Sequence, residues 1–116
     1  MAIQSADINA NKAVTNDVVN KVNLIKTESL TLDVYYFKGG QSLGYHRHPS
    51  GDQIFTVIAG TGTFKLDDGG EKMLEVKAGS IFLASANIWH DLVDNGEGGL
   101  IAQQVTKQPA GMEKRV

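Results

Sequence analysis

Residues 40–60 read GQSLGYHRHPSGDQIFTVIAG, and the fold turns on this stretch. It holds His46 and His48, two of only three histidines in the chain. Residues i and i+2 of a strand share a face, so the spacing predicts both imidazoles on one side. Pro49, Ser50 and Gly51 then turn the chain. A second strand is predicted over 53–59, with Gln53, Phe55, Val57 and Ala59 on one face and Ile54, Thr56 and Ile58 on the other. Both faces are largely apolar, as in a strand covered on two sides. Two imidazoles and an amide oxygen are three parts of a metal cradle. The third histidine, His90, would be the fourth.

Working outward, short strand patterns recur with turn signals between them. Towards the N-terminus, 30–37 (LTLDVYYF) is rich in β-branched and aromatic residues, with Leu30, Leu32, Val34 and Tyr36 on one side. Residues 18–27 alternate less regularly, and Val18, Val22 and Leu24 would share a face. Residues 1–17 are polar and without period, and read as an N-terminal arm. Towards the C-terminus, Asp67-Asp68-Gly69-Gly70 is a hairpin turn between strands at 63–66 and 72–76. Further strands are predicted at 81–84, 89–93 and 100–105, and 109–116 reads as a tail. No helical period is present, so the pattern is that of one all-β sandwich or barrel over 18–108.

Composition narrows the chemistry. At 116 residues the chain is one domain, with a net charge of −2 and eleven scattered basic residues. That balance argues against a nucleic-acid or acidic-membrane surface, which needs concentrated Lys and Arg. Cysteine is absent, so a transition metal must be held by imidazole, carboxylate, amide or water. No apolar run approaches the ~20 residues needed to span a bilayer. The first twelve residues lack the basic and apolar regions of a secretory signal, and the expected location is the cytoplasm.

The two glycine-bounded segments resemble the paired motifs of the cupins. In the first, Gly40, His46, His48, Gln53 and Gly60 fall on the family's spacing, with Gln53 where a glutamate is usual. In the second, Gly79 and His90 fit, while Ser85, Asn87 and Asp94 occupy the proline, glycine and asparagine positions. Asn tolerates left-handed backbone geometry, so the turn at Asn87 survives the exchange. Asp94 is expected to bind local backbone. The resemblance implies a double-stranded β-helix, or jelly-roll barrel, with a metal site formed by His46, His48, His90 and Gln53.

Asp52 adjoins Gln53, but strand alternation points it to the opposite face, as a solvated turn residue. A first-row divalent ion (Fe, Mn, Ni, Zn or Cu) suits three imidazoles. Three imidazoles and an amide leave its charge uncancelled, which favours a small anionic ligand such as an enolate, enediolate or carboxylate. Tyr36, Phe55, Phe64, Phe82 and Trp89 are the bulky candidates to line the barrel, and Tyr35 and Tyr45 are expected at the surface. Gly39-Gly40 and Gly69-Gly70 lie in strand turns with no helix following, so neither is a phosphate loop. A Ser-His-Asp triad would compete for histidines already assigned to the metal.

The expected function is that of a metal-binding cupin, an enzyme of the dioxygenase-like, three-histidine type acting on a small anionic or oxygen-rich molecule. The alternative is a non-catalytic small-molecule or metal-sensing domain. The outward stripe Ile54, Thr56 and Ile58 predicts a homodimer.

Overall fold

The computed structural model describes residues 2–116. Ten strands follow a short 3-10 turn at Asn9–Asn11: β1 (Asn20–Lys26), β2 (Leu30–Tyr36), β3 (His46–Arg47), β4 (Gln53–Ala59), β5 (Thr61–Asp67), β6 (Glu71–Lys77), β7 (Ile81–Ala84), β8 (Trp89–Asp94), β9 (Ile101–Lys107) and β10 (Glu113–Lys114). They form two five-stranded antiparallel sheets, ordered β1-β2-β9-β4-β7 and β10-β3-β8-β5-β6. Apart from the β1–β2 and β5–β6 hairpins, consecutive strands cross from sheet to sheet, and the two sheets close on a common interior. This is the double-stranded β-helix. Among the described residues no helix is long and apolar enough to cross a membrane.

The interior is built from alternation. Phe55 and Val57 of β4, Phe64 of β5, Phe82 and Ala84 of β7 and Leu92 of β8 pack with Tyr35, Phe37, Leu100 and Ala102 into one core. Phe55 stacks on Phe82 at 5.2 Å between ring centroids, and Phe64 lies 4.3 Å from Phe82. Such offset aromatic contacts add to the area they bury.

Four expectations from the sequence are corrected here. Tyr36 points away from the core and packs with Val34 and Ile101 on the outer face of the first sheet. The inward residues of β2 are its neighbours, so Tyr35 is buried and not at the surface. Trp89 also faces outward, with the Arg47 guanidinium 4.3 Å over its ring. Ala59 leaves the face of Gln53, because a register shift between Val57 and Ala59 brings it opposite Ile101. An extra residue in one strand reverses the alternation beyond it.

The C-terminal residues join the second sheet. β10 pairs with β3 through Glu113–Arg47 and Lys114–His46. The segment before it lies tightly against the β3–β4 turn: a Cβ on Gly51 would meet the Ala110 Cβ at 2.5 Å and the Lys107 carbonyl at 2.6 Å. Only glycine fits there without a shift of backbone.

Candidate metal centre

The second sheet delivers two of the three imidazoles. His46 on β3 is the cross-strand partner of His90 on β8, and their rings lie 4.3 Å apart. His48 falls just past the end of β3, so the ladder does not hold it. Instead its Nδ1 lies 2.7 Å from the carbonyl of Gly111 in the C-terminal segment. The Asn87 amide donates to the His48 carbonyl at 2.8 Å. Asn87 has φ 64°, the one described non-glycine residue with positive φ, as its place in the second motif predicts.

Each ring is fixed in the same manner. His46 Nδ1 meets the Gly44 carbonyl at 2.8 Å and His90 Nδ1 meets the Ile88 carbonyl at 3.0 Å. A carbonyl only accepts, so each Nδ1 carries the proton and each Nε2 presents a lone pair. The Nε2 atoms of His48 and His90 have no hydrogen-bond partner and are closed to solvent, although His48 as a residue is half-buried. One candidate ligand atom from each of the three histidines lies within 4.8 Å of the others. Burial lowers the pKa of all three; His90, with His46 beside it, falls to about 4. Neutral imidazoles with converging free nitrogens form a cluster that could hold a metal ion, and they suit first-row divalent metals.

Gln53, on β4 of the opposite sheet, is 1% exposed. Its Nε2 donates to the Thr106 hydroxyl at 2.9 Å, and its buried Oε1 has no partner. An unpaired buried oxygen is what a ligand-ready amide presents. Asp52 lies outside this centre: its Oδ1 accepts from the Ala86 amide at 2.8 Å, which caps the β7–β8 turn. Asp94 binds backbone as expected, with Oδ2 accepting from Gly40, Gly96 and Gly98 at 2.9–3.0 Å.

Two recesses, which share Lys21, His48 and Met112 in their linings, adjoin the histidines. One, of about 340 Å³, opens beside His46 and His48 between Val19, Leu43 and Met112, with Lys21 and Lys114 on its rim. The other, of about 220 Å³, runs from His48 past Gln53 to Gln104, Thr106 and Asp33. Asp33 accepts from Asn23 at 3.0 Å and lies 4.0 Å from the Lys21 ammonium. Tyr35 donates to Gln104 Oε1 at 3.0 Å. Sequence reading singled out neither Asp33 nor Gln104. The available signal was the polar alternation Thr31-x-Asp33-x-Tyr35 on β2, matched by Gln104-x-Thr106 on β9.

A fold of this kind with a buried three-histidine cluster defines a class, and the family comparison agrees. A profile described as "Cupin domain" matches residues 33–102, more than half of the chain. The chain belongs to the cupin family. Among curated proteins none matches the sequence. Several crystal structures match the fold. An uncharacterized conserved protein with a double-stranded β-helix domain from Klebsiella pneumoniae superposes with a TM-score of 0.87 at 22% identity, over 97% of this chain and 96% of the other. An RmlC-like cupin from Desulfovibrio desulfuricans gives 0.80 at 18% identity, over 91% and 97%. A DMSP lyase from Ruegeria pomeroyi gives 0.70 at 18% identity, over 84% of this chain and 52% of the lyase. At such identities the likeness shows the fold alone.

Proposed function

We propose that this cupin is a metal-dependent enzyme acting on a small anionic or oxygen-rich molecule, with His46, His48, His90 and Gln53 holding a divalent first-row ion. The observation that carries this reading is the set of three imidazoles, each tied by Nδ1 to a backbone carbonyl, with one candidate ligand atom of each within 4.8 Å of the others. When bound, the ion would supply Lewis acidity and a template for oxygen ligands. The protein's own residues set the rest. Four neutral donors cancel none of the ion's charge, so the chamber attracts anions. Lys21 and Lys114 add positive charge at the rim, while Val19, Leu43 and Met112 give one wall an apolar surface. A three-histidine centre resembles that of cupin dioxygenases, so oxidation of the bound molecule by O₂ is the reaction to test first.

The test is oxygen uptake by iron(II)-loaded protein with small hydroxy acids, oxo acids and enols. Consumption well above that of the His90→Ala variant supports the enzyme. Binding of those molecules with no turnover under any of iron, manganese, nickel, zinc or copper would replace it with the second reading, a binding or sensing module. Gln53 favours that second reading, since an amide cannot serve as the base that a glutamate there could be.

A further inference from the structure

Metal coordination leaves one buried group in the chamber without a role. Gln104 on β9 is 1% exposed and lines the recess that also holds Gln53 and His48. Its Oε1 accepts from the Tyr35 hydroxyl, but its Nε2 has no partner and is closed to solvent. A buried N–H without an acceptor is costly, and such groups are rare unless something else binds them.

The orientation of the amide follows from counting protons. With the amide reversed, Nε2 would donate to Tyr35, and the phenol's own proton would have no acceptor among the described residues. Burial, then the charge of Asp33, pushes the Tyr35 pKa above its ordinary value, so the phenol keeps that proton and donates it. Tyr35 thereby commits the Oε1 of Gln104 and leaves its N–H unpaired, on a residue that lines the recess.

We propose that Gln104, held by Tyr35, recognises an oxyanion of the ligand at the metal centre, its Nε2–H donating to a carboxylate or enolate oxygen. This rests on the metal-centre reading above. An anionic acceptor fits the surrounding charge. Lys21 borders both recesses, and Lys114 lies at the rim. The carboxylate that faces the recess, Asp33, is engaged by Asn23 and lies near Lys21. The recess is small, about 220 Å³, below the usual range for drug-sized ligands. The ligand class is a small hydroxy or oxo carboxylate, or its enediolate, with one oxygen for the metal and another for Gln104. Gln104 is then a specificity-determining residue and Tyr35 a positioning residue.

The probe is glycolate, titrated into cobalt(II)-loaded protein and followed by the visible absorption of the ion, with cobalt content measured before and after. Gln104→Met keeps the volume and removes the donor. It should weaken glycolate roughly ten- to a hundred-fold, the worth of a hydrogen bond to a charged group, with cobalt content unchanged. Tyr35→Phe frees the amide and should weaken glycolate a few-fold, less than Gln104→Met. Imidazole, a neutral nitrogen ligand, should bind wild type and both variants alike. Gln104→Glu has the same shape and still accepts from Tyr35, so it serves if the methionine variant does not fold; it should weaken glycolate at least as much. Glycolate affinity within about two-fold of wild type in a cobalt-retaining Gln104 variant overturns the proposal and leaves the metal centre standing. A wild type that takes up no cobalt removes the metal centre itself, and this inference with it.

Discussion

Gln53 differs from glutamate by one nitrogen, and that nitrogen sets the charge of the chamber. A carboxylate would cancel part of an ion's charge, whereas the amide oxygen is a neutral donor. Gln53→Glu should therefore tighten metal binding about tenfold and weaken glycolate binding, both measured by competition titration. Unchanged metal affinity would place Gln53 outside the ligand set. The imidazoles make a second prediction at this scale, for chelator-treated protein. The folded pKa of His90 is about 4 against an ordinary value of 6.5, so between those values the unfolded chain binds more protons. The stability tied to neutral His90 is thus complete above pH 6.5 and lost as pH falls towards 4, a loss on the order of 3 kcal/mol. Urea midpoints at pH 7 and pH 4.5 measure it. Equal midpoints would contradict the burial described here. The histidines, Asn87 and Asp94 were legible in the sequence because they fall at positions of the two cupin motifs that the chain resembles. Asp33, Tyr35 and Gln104 were not, because their role depends on which face of a strand turns inward.

The elements show why that inversion was hidden. On β2 the apolar residues Leu32, Val34 and Tyr36 lie on the outer face, and Thr31, Asp33 and Tyr35 turn in. A barrel that is wet at its mouth reverses the usual link between apolar and inward. The C-terminal segment was illegible for another reason: two residues of strand and a glycine carbonyl leave no periodic trace. Yet Gly111 positions His48, Met112 and Lys114 border the recess, and Arg115 lies over Tyr45 while pairing with Asp67 at 2.7 Å. Truncation after Gln108 should therefore weaken metal binding roughly 10–100-fold, the usual effect of losing a partner that orients a ligand. Arg115→Ala, which removes one partly exposed ion pair and one stacking contact, should cost far less. Metal titration of the two variants checks the order, and equal affinities in truncated and intact protein would contradict the role given to Gly111.

At the scale of the whole molecule, the outer face of the first sheet is divided. The N-terminal arm folds back over one part: Ile8 packs beside Val34 and Ile101, and the Tyr36 hydroxyl donates to its carbonyl at 2.6 Å. The β4–β7 part stays open, with Ile54 51%, Ile58 39% and Leu83 51% exposed. We propose that a second copy covers it in a twofold pairing. Light scattering should give a dimer mass at micromolar concentration, and the Ile54→Asp, Ile58→Asp variant should be monomeric. A monomeric wild type would contradict the pairing, and a dimer that persists in the variant would move it to another face.

The three converging imidazoles have one decisive test. Protein purified without chelator, or reconstituted and dialysed, is assayed for metal by elemental analysis. It should hold about one divalent transition-metal ion per chain. His48→Ala and His90→Ala, which each remove one of three imidazole donors, should lose most of it. Wild-type protein that binds no transition metal after reconstitution would contradict the metal centre.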